Sequence, residues 1–105
     1  MTVGGLSRRA ASPTGKDMEN EARLRRIRFR AWHRGTREAD YMIGGFFDRY
    51  HTTWTTADID WFEALIEEDD VDIMGWALGT LSVPDEYAGA QMETMRKLDY
   101  VEIPR

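Results

Sequence analysis

HRGTREADYMIGGFFDRY, residues 33–50, contains a chain corner followed by the most regular apolar pattern in the sequence. Ala39, Met42, Ile43, Phe46, Phe47 and Tyr50 recur at steps of three and four, which places them on one face of an α-helix. Thr36 can cap that helix, and Glu38 falls in its first turn, where the helix dipole favours negative charge. Gly35 stops the helix before it, because glycine readily takes the left-handed backbone that closes a helix. Gly44-Gly45 has neither a preceding strand nor a following Lys-Ser/Thr, which excludes a phosphate loop. The pair is expected to let a neighbouring helix approach closely, at about 1 kcal/mol of helix propensity each. The polar turn His51-Thr52-Thr53 ends the helix.

Upstream, ENEARLRRIRFRAWH, residues 19–33, lacks Gly and Pro and aligns Leu24, Ile27 and Ala31, so a first helix with a narrow apolar stripe and a basic remainder is expected. Residues 1–18 carry Gly, Ser, Pro and Thr without periodicity and are read as a disordered tail. They have no apolar core of the kind a secretory signal needs. Residues 19–105 are read as a single domain. Downstream, Thr55 with Asp58 forms a capping-box pattern that opens a third helix bearing Ile59, Phe62, Leu65 and Ile66 on one face. The run Glu67-Glu68-Asp69-Asp70 should lie mostly in a turn and at the next helix start, because acids are unfavourable at a helix C-terminus. A fourth helix follows over Val71–Leu78, stopped at Gly79. Ser82-Val83-Pro84-Asp85-Glu86 reads as the start of a fifth, continuing through Tyr87, Gln91, Met95 and Leu98 to about Asp99. The expected fold class is all-α, a compact bundle of about five short helices.

A chain of 105 residues with 42% apolar and 31% charged residues can bury one modest core, not a cofactor domain plus a second lobe. With no cysteine, disulfides, thiolate metal sites and cysteine nucleophiles are excluded. His33 and His51 have no HExxH or Cys partner, so no metal site is expected and both read as capping or solvent-facing residues. The acidic run lacks the spacing, central glycine and terminal glutamate of a calcium loop. No catalytic residues are apparent, and a non-enzymatic protein is expected. The charge is polarised: residues 1–37 hold ten Lys or Arg against three acids, residues 38–105 four against sixteen. RLRRIRFR, residues 23–30, could suit a nucleic acid, but the acidic remainder would repel a polyanion. A basic helix set against acidic neighbours, or against an acidic protein surface, accounts for the same residues.

The corner itself has two readings. Arg34 and Glu38, four residues apart, can pair across the turn for a few tenths of a kcal/mol. Alternatively, Gly35 removes side-chain bulk so that a partner backbone approaches, while arginine forks and a carboxylate flank the contact. Such a surface recognises and does not catalyse.

Arg34-Gly35-Thr36-Arg37-Glu38 resembles the RGxxE signature of the succinate dehydrogenase flavoprotein assembly factors. The likeness extends through FFDRY, FEALIEEDDVDIMGWALG and VPDEY, over roughly residues 20–100. It implies a five-helix bundle that binds the flavoprotein subunit of succinate dehydrogenase, and fumarate reductase as a further client, and that promotes covalent attachment of FAD to a histidine of that subunit. The factor would act as a chaperone and hold no FAD stably itself. Arg34, Gly35 and Glu38 match the signature, and Arg37 and Asp40 lie beside it, which makes these five residues the expected partner-binding set. The acidic turn without proline and Gly75 in the fourth helix depart from the family's pattern. No apolar run approaches the roughly 20 residues needed to span a bilayer, so no membrane insertion is expected, and the acidic remainder argues against a nucleic-acid partner. A monomer when free is expected, in the bacterial cytoplasm, with the mitochondrial matrix as the other compartment. The competing expectation is a small interaction module acting on a membrane-associated partner, in an antitoxin-like role.

Overall fold

The computed structural model describes residues 15–101. Five α-helices follow one another: α1 (Gly15–Trp32), α2 (Arg37–Tyr50), α3 (Thr56–Leu65), α4 (Asp70–Leu78) and α5 (Ala90–Met95). Short 3₁₀ turns at His51–Thr53 and Asp85–Tyr87 join α2 to α3 and precede α5. No strand occurs among the described residues. Residues 1–14 of the expected tail lie outside the described residues, and α1 begins at Gly15 rather than Glu19.

The apolar stripes read from the sequence form one core. Ile27 and Ala31 of α1, Ala39, Met42, Ile43, Phe46 and Phe47 of α2, and Phe62, Leu65 and Ile66 from α3 and its end are all buried. Leu24, Tyr50 and Ile59 pack against them in part. Phe46 is the hub, with Trp54, Phe62 and Tyr100 at ring-centroid distances of 5.6, 6.1 and 5.2 Å. These lie in the range of favourable tilted and edge-to-face contacts.

Local capping sets the helix starts. Thr36 Oγ1 accepts the Ala39 N–H at 3.2 Å, and Thr55 with Asp58 makes the reciprocal capping box. Ile66 caps the C-terminus of α3, Glu67 and Glu68 lie in the turn, and Asp70 opens α4, which distributes the acidic run as the helix dipole requires. Gly79, at φ 81°, closes α4. Gly75 leaves α4 regular; a Cβ there would collide with Leu81, whose side chain covers it.

The single fifth helix expected from Pro84 to Asp99 is a correction. Ser82 caps nothing, Asp85–Tyr87 is a lone 3₁₀ turn, and the chain restarts as α5 only at Ala90. Gly89 adopts φ 144°, outside any helical region, and breaks the run. Tyr87 is pinned there: its carbonyl accepts the Trp61 indole N–H at 3.2 Å, and its hydroxyl donates to Glu68 Oε2 at 2.6 Å.

The basic first helix lies against the acidic half of the chain. Arg23 binds Asp60 at 2.5 Å and Glu63 at 2.7 Å, Arg28 binds Asp48 at 2.9 Å, and Arg30 pairs with Glu67. Hydrogen bonds to Glu63 and Asp60 raise the Arg23 pKa, and the bond to Asp48 raises that of Arg28.

Burial raises the pKa of Tyr87, assisted by its bond to Glu68, and burial likewise raises that of Tyr100. Both tyrosines are favoured neutral in the fold. Their stabilisation is therefore complete below the ordinary tyrosine pKa of about 10 and is lost as pH rises above it. Thermal melts should fall steeply in that window, with each tyrosine contributing a limiting slope of about 1.4 kcal/mol per pH unit. Tyr100→Phe should make the decline shallower, and an unchanged slope in that variant would refute this assignment.

Candidate functional site

The corner between α1 and α2 separates the five predicted residues into two groups. Arg34 points inward and is only 10% exposed along its side chain. Its Nε–H donates to Asp70 Oδ1 at 2.7 Å, Nη1 to the Ile66 carbonyl at 2.9 Å and Nη2 to the Glu68 carbonyl at 3.2 Å. Its backbone N–H donates to Asp40 Oδ1 at 2.6 Å. Arg34 does not pair with Glu38. One planar fork instead holds the end of α1 to the C-terminus of α3 and the first turn of α4, satisfying carbonyls the helix end leaves orphaned.

The other group faces solvent. Gly35, Arg37 and Glu38 are exposed, and neither Arg37 nor Glu38 has an ion-pair partner among the described residues. Gly35 sits at φ 112°, a backbone that disfavours any side chain, yet an added Cβ would meet nothing within 4 Å. The glycine is therefore required by the bend, and the space above it is empty. Gly35, Thr36, Arg37 and Asp40 line a shallow concavity of ≈ 590 Å³ whose apolar walls are Trp32 and Tyr41. Glu38 lies outside its lining.

Trp32 also lines two neighbouring hollows. One, of ≈ 350 Å³, runs over Gly45, Asp48 and Tyr100; the other, of ≈ 330 Å³, runs over Phe29 and His33. Its indole is wedged on Gly44, donates to Asp48 Oδ2 at 3.1 Å and meets the Tyr41 ring edge-on at 5.4 Å. The Gly44-Gly45 pair thus admits a side chain at Gly44 rather than a helix backbone, while Gly45 faces the Tyr100 carbonyl. Trp32 and Tyr41 lie outside the set of residues expected from the sequence. A signal existed: Trp32 and Gly44 stand at equal distances either side of Glu38, where the two arms of a helical hairpin face one another.

Chemically the site holds donors, a carboxylate and aromatic edges, and no group of three metal-ligating side chains gathers among the described residues. His33 and His51 each place Nδ1 by the carbonyl four residues earlier, at 2.6 and 2.9 Å, and stack on Phe29 and Phe47. They are helix-end caps. The nucleic-acid reading of residues 23–30 weakens for a parallel reason, since Arg23, Arg28 and Arg30 are engaged by carboxylates of the same chain.

Residues 25–99 match the family described as flavinator of succinate dehydrogenase. The chain belongs to that family. An FAD assembly factor SdhE from Acetobacter pasteurianus is 37% identical over 87 residues, covering 82% of this chain and 80% of that protein. A mitochondrial succinate dehydrogenase assembly factor 2 from Scheffersomyces stipitis is 28% identical over 82 residues, covering 75% of this chain and 55% of its relative. The span this flavinator-family chain shares with the family includes the whole corner, Trp32 and Gly44, together with the acidic turn that Arg34 grips.

Proposed function

We propose that this chain is an assembly chaperone that docks on the flavoprotein subunit of succinate dehydrogenase through the exposed half of the corner and promotes covalent attachment of FAD there. The observation that carries the reading is Gly35: a backbone held open at positive φ, with no described atom within 4 Å of where a Cβ would sit, beside an Arg37 and a Glu38 that have no ion-pair partner among the described residues. Arg34 and Asp40 contribute differently from Gly35, Arg37 and Glu38, by making the bend rigid. A preformed bend loses little conformational freedom on binding, which favours affinity.

The chain needs no acid, base or stably held FAD of its own. By binding one conformation of the flavoprotein more tightly than others, it would hold flavin and acceptor histidine in reactive proximity. No helix among the described residues is long and apolar enough to cross a membrane. We assign the work to the bacterial cytoplasm, supported by the fuller match to the bacterial relative.

Deleting the chain should abolish covalent flavin fluorescence on the flavoprotein in a denaturing gel, and wild type should restore it. Gly35→Ala and Gly35→Arg share the same backbone strain, on the order of 1–3 kcal/mol, but only arginine fills the space above the bend. Gly35→Arg should therefore restore far less flavinylation than Gly35→Ala at matched protein level. Full restoration by Gly35→Arg would reject docking at this corner.

A further inference from the structure

Four of the seven arginines between residues 23 and 37 are bound to carboxylates of other elements: Arg23, Arg28, Arg30 and Arg34. Among the described residues Arg25 reaches only Glu21, one turn back on its own helix, at 4.0 Å. Arg26 and Arg37 have no ion-pair partner among the described residues. The three cations left uncommitted are not scattered. Arg25 and Arg26 lie four and three residues before Phe29, on the face of α1 turned away from Ile27 and Ala31. Arg37 stands at the corner where that face ends.

Phe29 is 62% exposed, and its ring lies flat on His33 at 3.9 Å rather than against the core. A single exposed aromatic is ordinary on a protein surface. Here it is continuous with the docking corner: the hollow beside Phe29 and the concavity over Gly35 share Trp32 and His33 as walls. An exposed aromatic side chain with Arg25 and Arg26 one helical turn before it has the make-up of an interface anchor with a charged edge.

We propose that the docking surface continues from the corner along the outer face of α1, with Phe29 entering an apolar recess of the flavoprotein and Arg25 and Arg26 meeting carboxylates at its rim. This rests on the docking reading above and adds to it what the partner must present: an acid-rimmed apolar pocket about three helical turns long together with the groove that receives Gly35. The charge complementarity gives the contact a steep salt dependence and a fast approach.

The test is titration of the purified flavoprotein subunit with the full chain at two ionic strengths, with thermal melts of each variant alongside. Phe29→Ala should weaken binding at least about tenfold while leaving the melt unchanged. The double variant Arg25→Glu, Arg26→Glu should weaken it further and flatten the salt dependence, whereas Arg25→Lys, Arg26→Lys should keep both. If wild type binds, Gly35→Arg impairs binding, and both the Phe29→Ala and the glutamate variants bind like wild type, the extension along α1 is wrong and the corner stands. If wild type fails to bind the subunit, both readings fall.

Discussion

Arg34→Ala is expected to destabilise the protein by about 3 kcal/mol, because it leaves a partly buried carboxylate and two carbonyls without their donor. The Asp70 carboxylate is the member of this set that matters most. It is the first residue of α4, Asp69 before it makes no side-chain cap, and the Arg34 fork is what ties that helix start to the end of α1. Ile66 and Glu68 carbonyls lie where α3 ends, and the same guanidinium satisfies both. Lysine keeps the charge but reaches fewer acceptors with poorer geometry, so Arg34→Lys should recover roughly half of the loss. Urea denaturation of the two variants measures both values directly. Flavinylation by Arg34→Ala should then fail in proportion to the unfolded fraction and recover on cooling, while Arg37→Ala impairs it with an unchanged melt. An Arg34→Ala protein that melts like wild type yet does not bind would place the guanidinium in the interface instead of the scaffold.

That division of labour could not be read from the chain. Glu38 is the carboxylate that helical spacing offers Arg34, whereas the real partner, Asp70, is 36 residues away and arrives only when the α3–α4 turn folds back on the corner. The same limit explains α5. Gly89 is compatible with a helix interior in a local reading, and what fixes the break is the Trp61–Tyr87 contact, 26 residues apart. Features settled within one or two turns were legible: the α2 stripe, the Thr36 cap, the Thr55–Asp58 box and the Gly79 stop. So was the charge polarity, because a basic first third and an acidic remainder of one small domain can lower their energy by folding together, as Arg23, Arg28 and Arg30 do. The site's geometry came from a different source: which of several charges the interior had already claimed.

Gly44→Ala should have an effect out of proportion to one methyl group. A Cβ at that position would lie closer than 3.0 Å to three atoms of the Trp32 indole, a rigid ring that cannot bend aside as an alkyl chain would. The ring is also held by its bond to Asp48 and by the edge of Tyr41, so relief requires α1 and α2 to separate or the indole to leave its place. Overpacking of this kind costs about 2 kcal/mol. Because Trp32 walls the concavity over Gly35, any displacement of the indole also reshapes the proposed docking surface. Binding to the flavoprotein should therefore fall by more than the loss of folded protein accounts for. Trp32→Leu removes the fixed ring, and in that background the added methyl group has somewhere to go. The double variant should be more stable than the sum of the two single effects predicts, with a coupling of about 1 kcal/mol or more. Strict additivity of the two substitutions in denaturant titrations would mean that Gly44 is there for some reason other than the indole resting on it.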